Sequence, residues 1–293
     1  MNRQDVAVDG ETVTLSNPGR ILYPETGTTK HDVAMYYLRA APMLIPWAKD
    51  RPATRKRWVQ GVGTAAEPGK SFFQKNLDAA TPDWVQRRTM HHRDHDNDYP
   101  LVNDARTLVW LAQISALEIH VPQWRFANDG TPQNPDRLVL DLDPGEGVGL
   151  AECAAVALLA RDALEQRGLR SLPVTSGSKG IHLYAGLDGK RTSDDIAHLA
   201  HCVALSLEAD HPDLVVSRMG RALRRGKVFI DWSQNWPAKT TAVPYSLRGR
   251  ARPTVAAPRN WDEIIPAKVD QLDYRQVLAR IAGGTTPKLG DVR

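Results

Sequence analysis

The sequence predicts an α/β fold of the α+β type, built on a β-α-β-β-α-β module of the RRM or ferredoxin-like kind. Three observations carry that prediction. The stretch RLVLDLDPGEG, residues 137–147, alternates its side chains as a strand does and then breaks at Pro and Gly. Two runs of helical period, GLAECAAVALLARDALEQRG and SDDIAHLAHCVALSLEAD, are separated by a stretch long enough for two strands. A last alternating segment, GKVFIDWSQ, closes the pattern.

Successive side chains of a strand point to opposite faces. In the first strand Leu138, Leu140 and Leu142 therefore share one face, and Val139, Asp141 and Asp143 share the other. The first helix stops at Gly168, a natural C-terminal residue. SLPVTSGSKGIHLYAGL then reads as two short strands around a Ser/Gly turn, with Ile181 and Leu183 on the core side and His182 and Tyr184 opposite. The second helix takes Ser193 as its N-cap, with two aspartates favourably placed in its first turn. A short strand at DLVVS precedes the last one, in which Val228, Ile230 and Trp232 face the core and Lys227, Phe229, Asp231 and Ser233 face away. In this topology the first strand lies between the third and the fourth. Asp231 and His182 are thus expected to flank Asp141 and Asp143.

The N-terminal half is irregular. Its clearest element is the helix in TTKHDVAMYYLRAAPMLIPWA, where Thr29 is the N-cap and Asp32 completes a capping box. The expected organisation is one catalytic domain over 1–293: an N-terminal α/β module to about 136, packed against a catalytic module with a C-terminal extension from 137.

Composition narrows the setting. No apolar run approaches the length of a membrane span and no signal-peptide core is present, so a cytoplasmic protein is expected. Cys153 and Cys202 sit in apolar helical patterns and are expected as buried free thiols; no CxxC pair exists. A formal charge of +4 permits nucleic acid as a partner without demanding it. MHHRDHDNDYP carries His91, His92 and His95 among aspartates, but the spacing matches no standard zinc motif and reads as a solvated loop.

Three carboxylates on one sheet face suit hard divalent cations, and two such ions can clamp the attacking and leaving oxygens of a phosphoryl transfer. TSGSKG, residues 175–180, offers backbone N–H groups for an anion nest and Lys179 for a phosphate, although it lacks Walker A spacing. Two basic runs, RALRRGK and YSLRGRARP, bracket the last strand's aspartate. Phe72 and Phe73 read as core if buried and as a stacking platform if exposed. His120 alone reads as a satisfied structural histidine.

LVLDLDPGEGV, VTSGSKGIHLY, GKVFIDWSQN, KTTAVPYSLRGRARPTVAAPR, DRPATRKRW and LEIHVPQWR together resemble the polymerase domain of bacterial ligase D, from the archaeo-eukaryotic primase superfamily. The resemblance runs over about residues 14–281 and implies an archaeo-eukaryotic primase-like fold, with the N-terminal module binding DNA. It implies a DNA repair polymerase that adds nucleotides, ribonucleotides by preference, at short gaps or double-strand breaks. Asp141, Asp143 and Asp231 would hold two divalent metal ions, Mn2+ or Mg2+. Ser176, Ser178, Lys179, His182, Arg224, Gln234 and Arg248 match positions around the nucleoside triphosphate. Lys56 matches a lysine near the incoming sugar, and His120 a histidine near the active site. Phe72 and Phe73 match a pair that stacks at the template. Arg20 and Lys30 match a pocket for a downstream 5′-phosphate; the family usually has lysine at the Arg20 position, and arginine keeps the charge while adding a planar fork.

The implied partners are DNA with gaps or 5′-phosphorylated ends, NTP or dNTP, an ATP-dependent DNA ligase and the end-binding protein Ku, at the nucleoid and with no membrane. The sequence shows no ligase module, so an excised domain and a stand-alone polymerase are both open. Two other functions remain at this stage: a metal-dependent nuclease and a non-catalytic DNA-end-binding module.

Overall fold

The computed structural model describes residues 2–266, 268–287 and 290. The chain divides into two compact units: Met1–Val121 with Ala242–Val255 and Asp273–Gly284, and Pro122–Thr241 with Ala256–Leu272 and Thr285–Arg293.

The second unit holds the β-α-β-β-α-β module. Its sheet has six strands, in the order Val215–Val216, Val228–Asp231, Arg137–Pro144, Ile181–Gly186, Ser171–Thr175 and Ala257–Pro258. The inner four reproduce the expected order, with the first strand between the third and the fourth. All pairings are antiparallel except that of Val215–Val216 with Val228–Asp231. Leu138, Leu140, Leu142, Ile181, Leu183, Val228 and Ile230 pack with Cys153, Ala157, Ala160, Ala200, Val203 and Leu207 of the two helices, Leu150–Glu165 and Ser193–Asp210. That single apolar face leaves the alternate residues, the aspartates among them, on the other. Cys153 is buried in this core as expected. Cys202 is not: it lies exposed on the outer face of its helix, because the apolar stripe runs through Ile196, Ala200, Val203 and Leu207.

Local chemistry sets the element ends. The second helix is capped by Thr192 rather than Ser193, since the acidic partner of the capping box, Asp195, lies three residues beyond Thr192 and its carboxylate accepts from the Thr192 N–H. The Val228–Asp231 strand stops at Asp231, and the side chain of Asn235 then takes over as partner of the central strand. It accepts from the Val139 N–H at 2.9 Å and donates to the Val139 carbonyl at 2.7 Å. A 3-10 turn, Trp232–Asn235, is the result.

The first unit is assembled on the helix Lys30–Ala48, capped by Thr29 with Asp32 as expected. The helix Ala105–Gln113 packs beside it. Two hydroxyls tie the long helix to its surroundings: Tyr37 donates to the Leu117 carbonyl and Tyr36 to that of Tyr245, each at 2.7 Å. The strands Ala116–Val121, Thr54–Arg57 and Phe72–Gln74 form an antiparallel sheet. The histidine tract is the tip of a hairpin, Arg87–His91 with Asp96–Pro100, where His91 and His95 pair with Asp96 and Asp94 in solvent and His92 stacks on His95. No helix among the described residues is long and apolar enough to cross a membrane.

Candidate active site

Register brings the carboxylates of the second unit together. Asp141 lies opposite Asp231 on one side and His182 on the other, and His182 Nε2 stands 3.3 Å from Asp141 Oδ1. Asp143 projects on the same face one pleat further along. Burial and the adjacent Asp141 charge push its carboxyl up to about 7; Asp231 adds to the rise, while His182 and Arg224 oppose it. Asp231 is partly turned into its own chain. Its Oδ1 accepts from the Ser233 N–H at 3.0 Å and the Ser233 hydroxyl at 2.6 Å, and its Oδ2 accepts from the Gln234 amide at 2.8 Å.

Among the described residues no group of three or more His, Cys, Asp or Glu side chains stands arranged around a metal position. The donor set nonetheless fits hard divalent cations. Its ligating atoms are carboxylate oxygens, and they are close enough to oppose one another's ionisation, a conflict that cationic charge relieves.

The 176–180 turn corrects one expectation. The N–H groups of Gly177, Ser178 and Gly180 are engaged by protein oxygens rather than open as an anion nest. The Ser176 hydroxyl accepts from the N–H groups of Ser178 and Gly180, each at 3.2 Å, and Gln271 accepts from that of Gly177 at 2.6 Å while donating to the Gly180 carbonyl. What the turn presents is side chains: Ser178 is half-buried and Lys179 exposed. The turn also grips the central strand, since a Cβ at Gly180 would lie 2.0 Å from the Leu142 carbonyl oxygen. Gly180→Ala is therefore expected to lower stability by about 1–3 kcal/mol, read as an earlier denaturant midpoint with an unchanged slope. A midpoint equal to wild type would show that the turn does not pack on the strand.

Arg224 is held at the edge of the same face. Its guanidinium lies 3.7 Å from the Phe229 ring centre and donates to the Met219 carbonyl at 2.9 Å. Asp141, Asp143, Asp231, Ser176, Ser178, Lys179, His182, Arg224 and Gln234 thus all belong to the second unit.

The remaining expected site residues belong to the first. Phe72 and Phe73 are about half exposed, at 48% and 57%, which removes the core reading for both. Lys56 Nζ sits 5.2 Å from the Phe73 ring centre and 4.9 Å from that of Trp58, and the Phe73 ring meets His120 edge-on at 5.5 Å. His120 hydrogen-bonds Glu118 through Nε2 at 2.8 Å, and Arg248 Nε stands 3.5 Å from the same carboxylate. Glu118 and Gln271 are the two organising residues that sequence reasoning missed. Lone polar residues in unremarkable contexts, they acquire partners only in three dimensions. Arg20 and Lys30 come together through the pairing of Ile21–Tyr23 with Thr28–Thr29, and the Lys30 N–H donates to the Arg20 carbonyl at 2.8 Å.

The LigD primase-polymerase domain family model matches residues 29–287. The multifunctional non-homologous end joining DNA repair protein LigD of Mycobacterium tuberculosis is 51% identical over 277 residues, 93% of this chain and 36% of that protein. Its counterpart from Mycolicibacterium smegmatis is 47% identical over 92% of the chain and 35% of that protein. The chain thus spans about a third of the length of these relatives. The solved polymerase domain of Mycobacterium tuberculosis ligase D in complex with DNA superimposes with a TM-score of 0.88 at 50% identity, covering 94% of this chain and 96% of that one.

Proposed function

Since this chain belongs to the LigD primase-polymerase domain family, a family of nucleotidyltransferases, we propose that it extends primer 3′ ends at short gaps or double-strand breaks under template direction, with ribonucleotides preferred. The observation that carries this reading is the register that sets Asp141 between Asp231 and His182, with Asp143 beside them in surroundings that resist a further negative charge.

Asp141, Asp143 and Asp231 are the residues that would hold two divalent ions, Mn2+ or Mg2+. When bound, these supply Lewis-acid stabilisation of the attacking and leaving oxygens. The chain's own residues do the rest. Lys179, His182, Arg224 and Arg248 offset triphosphate charge as it shifts toward the leaving pyrophosphate. Ser178, presented beside Lys179, offers its hydroxyl to the triphosphate; Ser176 holds the turn that carries them, and Gln234 steadies the Asp231 carboxylate. Lys56 provides a polar contact to the nucleotide sugar. Phe72 and Phe73 offer flat apolar surface on which a template base can stack. The relatives are named as end-joining proteins, which supports a partnership with an ATP-dependent DNA ligase and Ku at broken ends.

Competition between UTP and dTTP on a gapped template tests the sugar preference. UTP is expected to win, because the Lys56 ammonium can donate to a 2′-hydroxyl that dTTP lacks, a hydrogen bond worth roughly 0.5–1.5 kcal/mol, about two- to tenfold. Equal or better use of dTTP would remove the role given to Lys56, and no extension with either nucleotide would remove the polymerase reading.

A further inference from the structure

Glu118 has no part in the reading above, yet it is 2% exposed and surrounded by the residues that do. Its Oε2 is 2.8 Å from His120 Nε2. Its Oε1 accepts from the Gly249 N–H at 3.0 Å and lies 3.5 Å from Arg248 Nε. On the adjacent strand Lys56 pairs directly across from it. The 245–249 segment is clamped along the Glu118 strand. The Ser246 hydroxyl accepts from the Ile119 N–H at 2.9 Å, and a Cβ on Gly249 would fall 2.1 Å from the Trp58 ring. Tyr245, fully buried, adopts φ +71°, a left-handed conformation that a bulky residue takes only where its surroundings impose it. The frame around the carboxylate is rigid.

Chemistry then constrains the imidazole. Burial alone would raise the Glu118 carboxyl, but the His120 hydrogen bond, the Arg248 charge and the Gly249 N–H outweigh it and hold the group well below its usual range. An ionised carboxylate only accepts hydrogen bonds, so His120 Nε2 must carry the hydrogen. Burial also keeps the imidazole toward its neutral form; Glu118 opposes this, and the Arg248 and Lys56 charges reinforce it. A neutral ring with its hydrogen on Nε2 has a bare lone pair on Nδ1.

We propose that Glu118 is a positioning residue: it locks His120 in the Nε2–H tautomer, so that Nδ1 is offered as a hydrogen-bond acceptor to a substrate hydroxyl, and it anchors the turn that carries Arg248. The proposal rests on the nucleotidyl-transfer reading for the use made of His120, but the tautomer lock itself does not.

Glu118→Gln in the full chain separates the two. The glutamine oxygen is needed by the Gly249 N–H, so its NH2 must face His120. That forces Nε2 to accept and moves the ring hydrogen to Nδ1, with the shape of the site kept. Nitrogen-15 NMR of labelled histidine should show the Nε2–H tautomer for His120 in the wild type and the Nδ1–H tautomer in the variant. The melting temperature is expected to fall, because Arg248 loses a buried counter-charge, but the variant should stay folded at the assay temperature, which the same spectra check. Primer extension should lose at least about fivefold in kcat, with KM for the nucleotide within about twofold, because the Nδ1 acceptor is lost while Arg248 keeps an oxygen partner. A wild-type Nδ1–H tautomer, a tautomer indifferent to the substitution, or a flipped tautomer with unchanged kcat would each overturn the proposal. A wild-type chain that extends no primer overturns the polymerase reading instead, and the NMR result then decides the lock on its own.

Discussion

Asp143→Asn is expected to reduce primer extension by about a thousandfold or more while raising the melting temperature of the protein in the presence of a chelator. Both halves follow from one geometry. The Asp143 carboxylate is half-buried beside Asp141 and Asp231, and like charges held together in a poorly solvated place destabilise the fold that holds them. An amide of the same shape removes one charge and the conflict with it, but also one of three hard anionic donors. Stability is spent where the reaction requires charge. Asp231→Ala should also abolish extension, but with a lower melting temperature, since its carboxylate caps Ser233 and holds Gln234 and a lost cap costs about 1 kcal/mol. DNA affinity should stay near wild type in both, because the residues assigned to DNA lie in the other unit. Extension, thermal melting with EDTA and DNA titration read the three effects separately. Near-normal extension by either variant would sink the three-carboxylate site; a lower melting temperature for Asp143→Asn would mean that the aspartates do not oppose one another.

What could be read in advance divides along physical lines. The period of two in 138–142 and 228–232 placed the aspartates on one face, and the crossover rules placed the strands, so the pairing of Asp141 with Asp231 and His182 was legible. The Thr29 cap was legible because its partner lies three residues away. The organisation around Glu118 was not. Its partners Arg248 and Gly249 are about 130 positions distant, and nothing in LEIHV distinguishes a buried, ionised glutamate from a solvated one. The same reason hid Gln271, whose bonds to Gly177 and Gly180 turn an apparent anion nest into a satisfied turn. Composition also misled at Cys202, because an alanine-rich helix looks apolar all round while only one of its stripes is buried.

A gap with a downstream 5′-phosphate should bind more tightly than the same gap ending in a 5′-hydroxyl, by at least about tenfold. Lys30 is 5% exposed and donates from Nζ to the Ser16 carbonyl at 2.9 Å and to the Gln113 side-chain oxygen at 3.5 Å. An ammonium has three donors, so engagement with these two oxygens leaves one for an anion. Arg20 is joined to it through the paired strands and is oriented by a hydrogen bond to the Gln60 side chain. Burial lowers the pKa of Lys30, and the nearby Arg20 charge lowers it further. Two neighbouring cations, Lys30 buried and Arg20 half-buried, gain from a counter-charge between them. Lys30 also opens the long helix, whose N-terminal end adds partial positive charge. A terminal phosphate brings close to two negative charges. Charge-assisted contacts of this kind contribute roughly 1.5–3 kcal/mol each when shielded from water, and even one of them accounts for a tenfold preference. Replacing Arg20 and Lys30 together by alanine should erase the preference while leaving extension on a plain primer-template intact, which guards against a merely misfolded variant. Equal affinity of the wild-type chain for the two gaps would show that no phosphate pocket exists at Arg20 and Lys30.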